Sequence, residues 1–453
     1  MLRLEFPMNP EEYLDPEIET MSPDGVRALQ EKKLARQLDY LYARSPFYQD
    51  KLKAAGIRRE QVRTLADLGN VPLTTKEELR ESQLAAPPLG RHACTDLASV
   101  IRIQASTGTT GRPSLVGLTR QDAEGWTRVT ARSFYTQGVR PTDIVMHGAS
   151  LTLFAGGLPV KDAIERIGAT FVPVGTGASE KLVLIARTLK ANVLHSTPSY
   201  AIYLADHVRR EEKMDPRELG IEKIVCGAEP GGGIPAVRAK IQESWGARVT
   251  EGLGNADMLP IIFSECRNQS GMHYNAHEYV YCEIIDPDTE KVLPIEDGVS
   301  GELIYTSLER ECLPLLRFRT RDRVTVLGTS CACGRTGFKL RCLGRTDDML
   351  IVLGVNVFPS AVRDVVSSFR PRTTGEVQIL LDAPGPGVKP PLRIMAEYGD
   401  GSEPPSGLRA EIEHKIKAVL TVSSAVELVP PGTLPRFEMK GQLVKKLYEN
   451  PAR

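Results

Sequence analysis

The sequence predicts an α/β fold: a large N-terminal α/β region with a mainly parallel sheet, a β-rich subdomain, and a small α+β C-terminal domain. Three observations carry this. From Asp143, short apolar runs alternate with amphipathic stretches. Beyond residue 275 the pattern turns β-rich, and from Asp347 strand and helix patterns alternate in a segment of about 105 residues, long enough for its own domain. The expected division is therefore 1–346 and 347–453.

Taken in order, the first ninety residues read as helix and loop. Ser22-Pro23-Asp24 supplies an N-cap and a helix-compatible proline, and Leu34, Leu38 and Leu41 then share one face. Ile144–Met146, Thr170–Val174, Asn192–Leu194, Glu222–Cys226 and Ala247–Thr250 read as buried strands. KDAIERIGA, EKLVLIARTLKA, SYAIYLADHVRR and IPAVRAKIQESW read as the helices around them. Strands separated by helices imply βαβ units, whose sheets gather ligands at the carboxyl ends of the strands. EYVYCEIID, GELIYTSL and RVTVLG supply the β-rich stretch. In the last segment MLIVLG, VQILLD, LRIMAEY and VELVP read as strands and PSAVRDVVSSF as a helix. Leu408, Ile412, Ile416 and Val419 are expected on one face of a second helix.

Charge narrows the function. The 453 residues carry 57 Lys+Arg against 57 Asp+Glu, a net charge of zero. That gives no electrostatic footing for nucleic acid or a membrane surface, both of which favour a basic excess. No run approaches the ~18 apolar residues of a membrane span. The N-terminal MLRLEFPMNPEEYLD lacks the apolar core of a signal peptide, and the 8 cysteines are scattered. A cytoplasmic protein of enzyme size is expected.

The most informative segment is Ser106-Thr-Gly-Thr-Thr-Gly-Arg-Pro-Ser114. Glycines let backbone N–H groups approach an anion, and the hydroxyls add donors, so the loop suits a polyphosphate. It lacks the Gly-Lys-Ser/Thr ending of a Walker A loop. Cys226-Gly-Ala-Glu-Pro230, Tyr305…Arg319-Thr-Arg-Asp322, Gly344-Arg-Thr-Asp-Asp348 and Leu434-Pro-Arg-Phe-Glu-Met-Lys440 follow it in that order. Together these segments resemble the adenylate-forming superfamily of acyl-CoA synthetases, adenylation domains and luciferases. EIETMSPDGVRALQEKKL, SPFYQDKLKAAGI, VPLTTKEELRE, STPSYAIYLADH and GRTDDMLIVLGVNVFPS bring the resemblance closer to the phenylacetate–CoA ligase family, from about residue 10 to residue 445.

The resemblance implies a two-step reaction. A carboxylate attacks the α-phosphate of ATP, giving an acyl-adenylate and pyrophosphate, and coenzyme A then displaces AMP. Mg²⁺ and a lysine are the usual means of neutralising the charge that develops. By the same resemblance Ser106, Thr107, Gly108, Thr109, Thr110 and Gly111 grip the β- and γ-phosphates. Gly227, Ala228 and Glu229 border the adenine, Asp322 accepts from the ribose hydroxyls, and Arg345 lies near ribose and phosphate. Asp347 is the expected hinge of the lid, and Lys440 the lid lysine that reaches the α-phosphate during adenylation.

Two departures stand out. Where the superfamily carries Tyr-Gly-x-Thr/Ser-Glu, this chain reads Glu251-Gly-Leu-Gly-Asn255-Ala-Asp257. Glu251 replaces the aromatic and Asn255 the Mg²⁺-binding glutamate, so Asn255 or Asp257 is expected to meet the metal. Arg112 stands where lysine is common, and charge is kept.

Cys266-x₆-His273 and Cys331-Ala-Cys333 supply three thiolates and an imidazole, the set that closes a tetrahedral structural Zn²⁺ site. Some phenylacetate–CoA ligase relatives carry zinc at a matching pattern. His277 is an alternative to His273. For the acid, Leu151-Thr-Leu-Phe154-Ala-Gly156-Gly157 matches the family segment bordering an aromatic ring. Phe154 is there to stack or to fill core, with Tyr135 and Tyr200 as weaker candidates. Lys161 takes a position where the family commonly has histidine, and is a candidate partner for an acidic ring substituent. His195 is given no role.

The expected function is an AMP-forming CoA ligase for an aromatic carboxylate, an aryl acetate or a benzoate. ATP, Mg²⁺ and CoA are its reactants and Zn²⁺ a structural ion. Its partners are small molecules, with neither nucleic acid nor membrane, and a homodimer matches the common state of the family. One alternative passes the acyl or AMP group to a carrier protein or another cofactor. Another is a weakened nucleotide-binding protein.

Overall fold

The computed structural model describes residues 12–106, 114–175, 177–353, 355–384, 386–399, 401, 403–436 and 442–449. Among them a twelve-stranded sheet runs through the body of the molecule. One half is parallel, in the order Thr170–Pro173, Ile144–His147, Val193–Ser196, Lys223–Cys226, Arg248–Asn255. These are the five strands expected from the apolar runs. Val145, Val193 and Val225 pack on one face with Phe134 and Ile164. Met146, Leu194 and Ile224 pack on the other with Leu204, Ile241 and Trp245. Both faces are covered, which is why these strands read as continuous apolar runs.

The β-rich stretch is not a separate layer. Cys226 pairs with Glu251 in parallel register, and the next residue, Gly252, pairs antiparallel with Ser264. The sheet changes character within one strand and continues antiparallel through Leu259–Glu265, Met272–Tyr274, Lys339–Arg345, Phe318–Val326, Ser300–Ser307 and Val280–Ile285. The helix Pro23–Arg44 starts as expected, with the Ser22 hydroxyl accepting from Gly25 N at 3.1 Å. Leu34, Leu38 and Leu41 are all buried in one cluster with Leu308 and Leu316 of the body.

The C-terminal segment has its own apolar core, from Leu350 to Val426, around the strands Thr373–Leu381, Leu392–Tyr398 and Ser424–Val429. In the helix Leu408–Leu420, Leu408, Ile412 and Ile416 are buried as expected, but Val419 is 58% exposed. Leu420, four residues after Ile416, packs instead. The 3.6-residue turn decides between i+3 and i+4 only once the partner surface is known.

This unit sits on the body beside the loop that follows Cys226. Lys240 Nζ donates to Thr374 O at 2.6 Å and meets Glu376 at 3.1 Å. Ser360 Oγ donates to Leu343 O at 2.6 Å, and Arg363 donates to Pro230 O.

Candidate active site

Four pieces of chain meet at the carboxyl ends of the parallel strands. The first is the hairpin Arg102–Ala105 and Leu115–Leu118, closed at its tip by Ser106 N donating to Ser114 O at 3.0 Å. Ser106 is buried there, and its hydroxyl accepts from Ser114 N at 3.4 Å. Thr107, Gly108, Thr109, Thr110 and Gly111 lie outside the described residues, as does Lys440.

The second piece is the segment after Ile144–His147. Ala105 N donates to Leu153 O at 2.6 Å, and Phe154 bridges to Ala105 in parallel register. The Gln104 amide donates to Leu153 O and Phe154 O, at 2.6 and 2.9 Å. Arg102 pairs with Asp162 at 2.6 Å. The hairpin and the Phe154 segment therefore form one unit, so a group held by one is placed relative to a group held by the other. Phe154 is half-buried and Gly156 faces open space. Gly157 has a different reason to be glycine, since a Cβ would press on the backbone of Ser150 and Leu151.

The third piece, Gly227–Ile234, follows Lys223–Cys226. Gly227 N donates to Ser196 O at 3.2 Å, and Ala228 takes φ +69°, a left-handed conformation costly for alanine. Glu229 is buried and accepts from Ser199 N at 2.7 Å. The fourth is the antiparallel pair carrying Asp322 and Arg345, which are in register. A bulge between Glu302 and Ile304, with Arg321 at φ +68°, re-aims the strand just before Asp322. Asp322 is buried, with Arg345 Nη1 3.6 Å from its carboxylate. The backbone of Asp347 lies in the turn Thr346–Asp348, and its side chain lies outside the described residues.

Other expected residues are placed differently. Asp257 is buried and ion-paired with Lys76 Nζ at 2.8 Å, while its N–H donates to Asn255 Oδ1 at 3.0 Å. Asn255 is half-buried. Lys161 stays on its own helix, bonded to Glu165 at 2.7 Å and near Asp162 at 3.5 Å, which raises its pKa. Tyr135 is not brought to this cleft. It stacks under Arg140, whose N–H donates to Asp143 at the amino end of the parallel strands.

Two features escaped the sequence. Glu251 is buried beneath the third piece, where its carboxylate accepts from Gly231 N at 3.0 Å and its second oxygen lies against Gly233. Burial and the neighbouring Glu265 push it up to about 6. His147 and His195, cross-strand neighbours in parallel register, share a proton between their Nδ1 atoms at 2.9 Å. Burial lowers His147 to about 4 and His195 further, so both are neutral at pH 7. Their spacing of 48 residues carries no local signal.

Away from the cleft, Cys266, His273, Cys331 and Cys333 converge, with all donor atoms within 4.8 Å of one another. Cys266 Sγ is 3.8 Å from Cys331 Sγ, and Cys333 Sγ is 3.5 Å from His273 Nε2. His277 is not part of the set, as its Nε2 faces Thr336 O at 3.2 Å.

A C-terminal unit packed beside a strand-end cleft, where a hairpin meets a buried carboxylate and an arginine, is the arrangement expected of an adenylate-forming ligase. Residues 354–446 match the model of the AMP-binding enzyme C-terminal domain. The chain is 35% identical over 440 residues to the phenylacetate-coenzyme A ligase of Thermus thermophilus, covering 93% of this chain and 96% of that enzyme. It belongs to the phenylacetate–CoA ligase family and is an AMP-forming acid–CoA ligase. It is also similar to 2-hydroxyisobutyryl-CoA ligase in the postadenylation state with 2-HIB-AMP, with a TM-score of 0.89 at 29% identity over 99% of this chain and 96% of that one. Against the same enzyme in the thioesterification state with CoA, the TM-score is 0.72 at 30% identity, covering 98% and 94%.

Proposed function

We propose that the chain converts an aromatic carboxylate of the aryl acetate or benzoate type to its CoA thioester. The observation that carries this is the bonding of the Phe154 segment to the phosphate hairpin through Ala105 N and the Gln104 amide. An acid lying against half-buried Phe154 would then have its carboxylate beside the triphosphate, and such preorganisation is the main lever on a reaction between two anions. Asp322 would accept from the ribose hydroxyls with Arg345 beside it, and Gly227, Ala228 and Glu229 would border the adenine. Lys440 would meet the α-phosphate as pyrophosphate leaves. The thiolate of CoA then attacks the acyl carbonyl and AMP departs. Mg²⁺ would arrive with ATP, held chiefly by the phosphates. Both protein candidates are engaged in this arrangement, Asp257 by Lys76 Nζ and Asn255 Oδ1 by Asp257 N, and either would have to exchange that partner for the metal.

The higher TM-score against the postadenylation state supports a lid in the orientation used for adenylation, with Asp347 as the hinge and residues 347–453 as the moving part. Lys240–Glu376 and Arg363–Pro230 are the contacts that would break as it turns.

The thiol cluster fits a structural Zn²⁺. Two sulfurs each about 2.3 Å from a tetrahedral zinc lie about 3.8 Å apart, and a sulfur and an imidazole nitrogen lie about 3.5 Å apart. Both spacings are met here. Asn268 N and Nδ2 donate to Cys266 Sγ and Cys331 Sγ at 3.5 and 3.3 Å, the outer hydrogen bonding that thiolate ligands require.

ATP–pyrophosphate exchange over a panel of aryl acetates, benzoates and aliphatic hydroxy acids, repeated with CoA, tests the reaction. Exchange and thioester with the aromatic acids are expected. Turnover confined to aliphatic acids would overturn the substrate class, and exchange without thioester would redirect the acceptor.

A further inference from the structure

We infer that Glu251 is a positioning residue for the nucleotide, acting through the Gly231–Gly233 turn, and that this grip requires its carboxylate to be ionised. The inference rests on the reading of Gly227–Glu229 as the border of the adenine.

Glu251 lies where the sheet changes from parallel to antiparallel, and its side chain rises beneath the loop after Cys226. Gly231 N donates to Oε1 at 3.0 Å, and Gly233 lies against Oε2 of the same carboxylate, where its N–H favours the ionised form. The fit leaves no room for side chains on the turn. A Cβ on Gly232 would press on Cys226 and Glu251 Cβ, and one on Gly233 would collide with Oε2. Three further side chains close on the same few residues. Arg238 Nε donates to Gly232 O at 2.6 Å, Glu229 accepts from Ser199 N, and Arg363 of the lid donates to Pro230 O. Thus the backbone that carries left-handed Ala228 is tied from below by one carboxylate and from above by the lid.

Other charged or titratable groups bear on Glu251. Glu265 is the nearest anion, bonded to Glu251 N at 3.0 Å and paired with Arg238. Buried Cys226 and half-buried Cys342 are thiols within its field, both pushed up chiefly by desolvation and so uncharged. Glu251 is therefore the group whose charge changes near pH 6. An ionised carboxylate accepts from Gly231 N and presents its second oxygen to Gly233. A protonated one turns an O–H toward one of these donors, and that N–H loses its acceptor.

MgATP affinity measured by calorimetry on the full-length wild type and on Glu251→Gln, from pH 7.5 to 5.0, tests this. The wild type should weaken about tenfold over that range, following a group that titrates at about 6. Glu251→Gln, whose amide turns an N–H toward one glycine N–H, should bind about tenfold more weakly at pH 7.5. It should also show a nearly flat profile, which controls for titration of the nucleotide itself. Amide hydrogen exchange at Gly231 and Gly233, corrected for its intrinsic pH dependence, should lose protection in parallel in the unliganded wild type. Equal affinities, or parallel pH profiles in both proteins, would overturn the inference. Absence of MgATP binding by the wild type at every pH, with the exchange change still present, would instead remove the adenine reading on which it rests.

Discussion

The thiol cluster and the strand-end cleft lie on one mixed sheet but are built in opposite ways. The cluster draws its donors from segments paired in the sheet, His273 opposite Lys339 and Cys266 just past the strand ending at Glu265, and its donor atoms already meet. The cleft draws on four separate loops and the C-terminal unit, keeps Ala228 and Arg321 in left-handed backbone, and holds a buried carboxylate up at about 6. Against an ordinary value of 4.5, that shift corresponds to about 2 kcal/mol of unfavourable burial at pH 7. In the cluster the sheet alone brings the donors together. The cleft instead retains unfavourable features of the kind that a bound ligand can offset.

If that contrast holds, damage to the cluster should appear in stability and damage to the cleft in kinetics. The largest effect expected is on Lys440→Ala, which should slow acid-dependent pyrophosphate exchange by about 10²–10³-fold with the melting temperature unchanged. Comparable loss in thioester formation from preformed acyl-adenylate would contradict a role confined to adenylation. Next is Cys331→Ser, which should lose bound zinc by elemental analysis and melt about 4 °C lower, a loss of ~3–5 kcal/mol. Wild-type protein that carries no zinc when purified without chelator would break this side of the comparison.

Asp322→Asn should raise KM for ATP about tenfold, since a neutral amide accepts more weakly from the ribose hydroxyls than a carboxylate does. An unchanged KM would place the ribose elsewhere. The histidine pair gives a pH effect of known sign. His147 titrates at about 4 when folded and near 6.5 when unfolded, so below about pH 6.5 the unfolded chain binds protons that the fold refuses. The pair's contribution is complete above pH 6.5 and is lost as pH falls toward 4, up to about 3 kcal/mol for His147. Thermal melts of His147→Asn should be flatter over that range than those of the wild type. The smallest effect belongs to Lys161→Ala, which removes a half-exposed ion pair with Glu165 worth about 0.5 kcal/mol or less. Altered discrimination among ring-substituted acids would show that Lys161 leaves Glu165 to meet substrate.

What could be read without coordinates was local or periodic. The five parallel strands, the capped helix after Ser22 and the cysteine–histidine set were legible because each depends on spacing along the chain. Val419 was assigned to the wrong face because i+3 and i+4 positions differ only by what they pack against. Asp257 looked available for a metal because nothing in the segment from Glu251 to Asp257 announces Lys76, 181 residues away. Tyr135 and Phe154 looked alike as aromatics near the acid, yet they lie at opposite ends of the parallel sheet.

The sequence by itself determined the layered fold, the family and the chemical types available at each motif, because residue pattern and motif order are properties of a line. Tertiary structure alone decided which charges are already neutralised and which remain for the reaction. It paired Lys76 with Asp257, Lys161 with Glu165 and His147 with His195, and it set Glu251 beneath three glycines. Hydrogen bonds and ion pairs act over a few ångströms of space, and only folding converts separations of tens to hundreds of residues into such distances.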